Sequence, residues 1–183
     1  MKKTKDFYRL TMTLMLLFLL GCIIGWIYEM LFYRIDTGSF IKRGQGFGPW
    51  LPIYGAGTMM IIPITSRLKG SRLAVFAVSA SGAGVIEWIA GWILFRFANG
   101  LRLWNYNEEI WNWGNISGFV CLRSVLIFGC LGLLVNNIIV PLVINKTREM
   151  KKWILTAMTL PLFTLFVLDF IYGYLIKPIL KIM

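Results

Sequence analysis

The sequence predicts an all-α fold, a polytopic bundle of about five transmembrane helices forming one membrane domain over residues 1–183. Three observations predict it. Hydrophobic residues make up 58% of the chain, against ~45–50% in an ordinary soluble domain. Mean hydropathy is +0.71. The apolar residues fall in five runs, at about 10–33, 49–65, 73–95, 119–144 and 153–176, most of them near the ~20 residues a helix needs to span the hydrocarbon.

The first run follows a basic stretch, Met1–Arg9, as a secretory signal would. It is too long for one, and no small-residue cleavage site follows, so it reads as a retained helix. Its Gly21 and Gly25 are spaced for close helix contact, as are Ala80 and Gly84 in the third run. The second run spans only ~25 Å as a helix and carries Pro49, Pro52 and Pro63. It either crosses the membrane or is partly re-entrant. The latter is allowed only where protein or water covers the backbone. The last three runs are long enough to cross.

Lysine and arginine set the orientation. Eleven lie before the first run, between the second and third, and between the fourth and fifth; seven lie on the opposite side, and Arg123 completes the 19. This places the N-terminus inside and the C-terminus outside, in the plasma (cytoplasmic) membrane. The net charge of +11 is therefore read as orientation and lipid contact, and no nucleic acid is expected.

Glu29, Glu87, Arg123 and Asp169 stand inside apolar runs. A charge at the bilayer centre costs at least ~2.5–3.5 kcal/mol, so such residues are candidate functional groups. All four fall in the outer half of the bilayer, which suggests one outward-facing polar chamber. A short internal repeat, Gly25-Trp26-Ile27-Tyr28-Glu29 against Gly84-Val85-Ile86-Glu87-Trp88, suggests two parallel two-helix units plus a fifth helix. Asp169 is the peripheral member, and Arg43 and Arg123 are the counter-charges for the glutamates. The two carboxylates could bind a cation, relay protons, or hold helices together as structural ion pairs.

Arg43-Gly44-Gln45-Gly46-Phe47-Gly48-Pro49-Trp50-Leu51-Pro52-Ile53-Tyr54-Gly55-Ala56-Gly57 is the sharpest local motif. Glycines let the backbone approach another surface closely, and the prolines leave carbonyls without helical donors. The segment reads either as an ordered loop that dips into the membrane, lined by Pro49, Trp50 and Tyr54, or as a tight interfacial turn. The second outer loop, 96–118, interleaves Trp104, Tyr106, Trp111 and Trp113 with Asn105, Asn107, Asn112 and Asn115. It reads as an amphipathic segment on the outer leaflet, or as a lid in which Trp104, Tyr106 and Asn115 close the chamber.

There is no histidine, so no Ser-His or Cys-His nucleophile pair exists. No nucleotide-binding Gly-rich lysine loop occurs. Cys22, Cys121 and Cys130 lack paired spacing and read as small buried hydrophobes. No metal or cofactor is expected.

These motifs resemble the CmpB-like family of ABC-transporter type IV membrane proteins, over about residues 18–145. The resemblance rests on Gly25…Glu29 (one residue longer than the family spacing), on Arg43-Gly44…Gly48-Pro49…Pro52-Ile53-Tyr54-Gly55-x-Gly57, and on the Glu87 helix. It continues through Asn115-x-x-Gly118-x-x-Cys121-Leu122 and Phe128-Gly129. Where the family has Trp-Asp-Tyr this chain has Trp104-Asn105-Tyr106, which removes a carboxylate from any cation site there. A basic residue expected at Phe119 is also missing. The resemblance implies a multi-helix membrane fold and a link to transport. The inner loops, about 66–72 and 145–152, are very short for docking an ATPase.

The functional expectation is a transport or solute-binding component with a polar site built on Glu29, Arg43, Glu87 and Arg123. The alternatives are a membrane-embedded enzyme acting on a lipid or lipid-linked substrate, with the glutamates as acid or base, and a structural assembly subunit. Expected partners are membrane lipid, a small solute or lipid-like ligand, and a second copy or another membrane protein.

Overall fold

The computed structural model describes residues 2–68, 70–97, 99–177 and 180, with side chains from Phe7 onward. Lys69 and Lys181, used above for orientation, lie outside the described residues. The chain is helical: α1 Lys2–Thr37, α2 Pro52–Thr65 with a 3₁₀ turn Ser66–Leu68, α3 Arg72–Phe97, α4 Leu122–Leu134, α5 Val140–Glu149 and α6 Lys152–Phe170. A π-helical turn, Val135–Ile139, joins α4 to α5 as one rod, and a second, Ile171–Ile176, prolongs α6. Five rods therefore stand where five apolar runs were expected. Four are long and apolar enough to cross a membrane: Phe7–Thr37, Arg72–Phe97, Leu122–Glu149 and Lys152–Ile176. The 14 residues of α2 reach only about 21 Å.

Two compact units form, Met1–Met60 with Ile139–Met183, and Ile61–Ile138. In the first unit α1 and α6 run parallel. Tyr8 meets Thr156 near their starts, and the Phe18 ring meets Phe163 and Phe166 edge-on at 6.2 and 5.2 Å further along. Leu19, Cys22 and Phe166 form the buried core there, flanked by Phe18, Trp50, Phe163 and Val167. A Cβ on Gly25 would collide with the Tyr54 ring. The small residue therefore lets α2 lie against α1, as the spacing predicted.

The start of α1 also receives the end of α5. Arg9 Nη1 donates to the carbonyls of Thr147, Arg148 and Met150, and Thr13 donates to Thr147 at 2.9 Å. The last carbonyls of a helix lack intrahelical donors, and a cation there also meets the negative end of the helix dipole. The beginning of α1 and the α5–α6 turn thus share one end of this unit.

In the second unit α3 and α4 form an antiparallel hairpin. A Cβ on Gly132 would strike Ser79, and one on Gly84 would press on Val125. Small residues face each other along the contact, the usual way membrane helices gain packing without a hydrophobic drive. The intervening loop carries one isolated bridge, Ile116 to Val120.

Arg9→Ala should lower thermal stability in detergent by about 1.5–3 kcal/mol, the worth of hydrogen bonds to a charged donor. Arg9→Lys should recover only part, because an ammonium lacks the guanidinium fork. The unfolding midpoint of the purified protein checks both.

Candidate functional site

The first unit holds a polar cluster built on the Arg43–Gly57 motif. The chain leaves α1 at Thr37 and returns, without helix, to Leu51, whose N–H donates to the Cys22 carbonyl at 3.1 Å. Cys22 is the midpoint of the Phe7–Thr37 span. The loop therefore penetrates to half the length of α1 before α2 begins. The motif thus runs back along α1 as far as Cys22 before α2 starts.

Asp169 holds the loop in place. Its carboxylate accepts the N–H of Phe47 at 2.7 Å, the N–H of Gly48 at 3.0 Å and the indole Nε1–H of Trp50 at 2.6 Å. A backbone N–H without a partner in an apolar setting is costly, and an ionised acceptor gives the stronger bond. The glycines make the approach possible. A Cβ on Gly46 would overlap the Asp169 carboxylate, and one on Gly173 of α6 would meet the Gln45–Gly46 backbone. Gly44 takes a φ of 85°, a left-handed conformation that glycine adopts freely. The second π-helical turn begins two residues after Asp169, at the surface where the loop docks. Asp169 is thus the loop's anchor. From sequence Asp169 takes only a peripheral place, because nothing in the primary structure ties it to a motif more than a hundred residues away.

Glu29 is the second anchor. Arg43 Nε donates to its Oε2 at 2.6 Å, and the Tyr54 hydroxyl donates to Oε1 at 3.1 Å. The Arg43 guanidinium also stacks on the Tyr33 ring, 4.1 Å from its centroid. The pair is partly exposed, Arg43 at 24% and Glu29 at 16%. Pro49 is exposed and Trp50 half-buried.

The second unit has its own cluster. Tyr106 donates to Glu87 Oε1 at 2.5 Å, and Ser124 donates to Oε2 at 2.8 Å. Burial, then the neighbouring Glu87 charge, pushes the Tyr106 phenol far above its ordinary pKa, so it stays protonated and remains a donor. Ser124 also lies 2.9 Å from the Cys121 carbonyl and accepts the Cys121 N–H at 3.3 Å, which closes the first turn of α4.

Arg123 has a different carboxylate from those expected. Its Nη2 meets Glu109 Oε2 at 2.5 Å, with side chains only 6% and 8% exposed. Sequence reading passed over Glu109 because it lies in a polar loop, where a carboxylate ordinarily stays in water. Folding of that loop onto α4 buries it. Trp104 donates to the Phe119 carbonyl at 2.8 Å, and Asn115 accepts the Gly118 N–H at 2.8 Å while donating to Asn107 at the same distance. These two staple the loop to itself, and Tyr106 is the expected lid residue that bonds to a glutamate. Asn105, in place of the family's aspartate, donates to Glu108 at 2.6 Å. Phe119, in place of a basic residue, carries the Arg102 guanidinium 4.8 Å above its ring.

Among the described residues no group of three or more His, Cys, Asp or Glu side chains could hold a metal ion. The family model described as "Putative ABC-transporter type IV" matches residues 16–174. Comparison with curated proteins and with solved structures returned no match.

Asp169→Ala should leave the Phe47 and Gly48 N–H groups without their acceptor, at a cost of about 0.5–1.5 kcal/mol for each bond lost. Amide hydrogen exchange at residues 44–51 should accelerate while exchange in α3 and α4 stays unchanged. Arg123→Met alone should destabilise by about 3–5 kcal/mol by stranding Glu109, and adding Glu109→Met should restore part of that loss. Thermal unfolding of the two single variants and the double measures the coupling.

Proposed function

Because this chain belongs to the CmpB family of ABC-transporter type IV membrane proteins, we propose that it is a transport or solute-binding component of the plasma membrane, with the Glu29–Arg43–Tyr54 cluster as its solute site. One observation carries this reading. The Glu29–Arg43 pair is partly exposed and lies beside a non-helical loop that descends to the middle of α1. Irregular backbone at membrane depth is found where it lines a cavity, and discontinuous crossings are common at transporter sites.

The chemistry suits partner exchange. A solute anion would compete with Glu29 for the Arg43 guanidinium, and a solute cation would compete with Arg43 for Glu29. Tyr54, which donates to Glu29, would keep the carboxylate oriented during the exchange. The second unit suits a supporting role. Both Glu87 oxygens are engaged, and Ser124 is buried.

The assembly-subunit reading has its own support. Glu29, Glu87, Arg123 and Asp169 all find polar partners within the chain. A ligand screen separates the two. Purified protein in nanodiscs is challenged with inorganic ions, amino acids, sugars and phospholipids, and thermal stabilisation is read. A solute should stabilise the native protein and lose at least about tenfold in affinity, some 1.4 kcal/mol, in Glu29→Gln and Arg43→Gln. It should keep its affinity in Arg102→Gln, whose side chain serves the other loop. Equal stabilisation of all variants, or none of the native protein, would favour the assembly reading.

A further inference from the structure

We infer that residues 38–68 cross the membrane as a broken element, an irregular outer half followed by the short helix α2, and that the irregular half lines a water-filled cleft open on the face that carries the C-terminus. Neither the crossing nor the cleft depends on a solute binding.

Parity carries the first part. α1 and α6 lie parallel in one unit: Tyr8 pairs with Thr156, Phe18 with Phe163 and Phe166, and Asp169 with the loop that follows α1. Both are long enough to cross. They therefore start on one face and end on the other. Between them the chain must make an odd number of crossings to return to the starting face. α3 supplies one, and the α4–α5 rod, Leu122–Glu149, supplies another. The third falls to residues 38–68. Yet α2 covers only about 21 Å of a ~30 Å hydrocarbon core. The Leu51–Cys22 bond shows why that suffices: the loop has already covered the outer half when α2 begins. Two chain features suit a non-helical passage. Pro49 and Pro52 have no N–H to satisfy, and Phe47 and Gly48 donate theirs to Asp169.

Solvation carries the second part. Irregular backbone is tolerated at membrane depth only where protein or water covers it. One side of the loop is covered by α6 through Asp169, Gly173 and Lys177, whose Nζ donates to the Gln45 carbonyl at 3.3 Å. Gln45 and Pro49 are exposed on the loop, so water covers that side.

Single cysteines test this on a Cys130→Ser background, since Cys22 and Cys121 are buried. Gln45→Cys, Pro49→Cys, Ser71→Cys, Lys151→Cys and Leu180→Cys are labelled with a membrane-impermeant maleimide on cells, before and after permeabilisation. Gln45, Pro49 and Leu180 should label together from one face, and Ser71 and Lys151 together from the other. Ser71 labelling from the same face as Gln45 would remove the crossing. Failure of Gln45 and Pro49 to label under both conditions, with Leu180 labelling normally, would remove the water-filled cleft.

Discussion

A backbone N–H in an apolar phase must find an acceptor, and the fold of the first unit turns on where it does so. The loop before α2 gives up helical hydrogen bonding at the depth of Cys22. Its exposed donors are gathered by Asp169, a carboxylate that would itself be expensive in lipid. Each group resolves the other's cost. The carboxylate gains three donors, the loop gains an ionised acceptor, and the Trp50 ring docks edge-on against Phe166 at 5.9 Å. Glycine at 46 and at 173 is required because the contact is backbone against helix, with no room for a side chain.

The two units reach the same end by parallel means. In each, a glutamate late in a long helix accepts a tyrosine hydroxyl from the chain that follows: Tyr54 for Glu29 and Tyr106 for Glu87. In each, a small residue just before the glutamate, Gly25 or Gly84, lets the following helix approach. The difference lies in solvent contact. The Glu29–Arg43 pair is partly exposed, whereas the Arg123–Glu109 pair is almost fully buried. A buried pair of that kind serves loop placement, because removing either charge strands the other. A partly exposed pair can exchange partners at lower cost, which supports the proposal of a solute site in the first unit.

Much of this was legible in the sequence. Hydropathy alone located the five rods, because every helical residue in lipid must be apolar unless a partner answers it. The Arg43–Gly57 motif announced a loop of unusual backbone through its glycines and prolines, and Glu29, Arg43 and Tyr54 were all named as candidates. Two partners escaped. In sequence Asp169 shows as a charge inside an apolar run but not as the loop's anchor, and Glu109 shows no signal at all. Both omissions have one cause. A sequence records the cost of a group and is silent on which distant donor or acceptor offsets it.

Local composition is enough to establish the membrane class, the number of rods and the identity of the expensive groups, since transfer of side chains between water and lipid depends on composition along the chain. Tertiary structure alone decided the pairings: Asp169 with the loop backbone, Glu29 with Arg43, Glu109 with Arg123. It also decided that the proline-rich segment descends as irregular chain to the level of Cys22 before becoming helix. These are matters of which surfaces meet. A hydrogen bond spanning a hundred residues has no local signature, and only the packing of α6 beside α1 brings its two ends together.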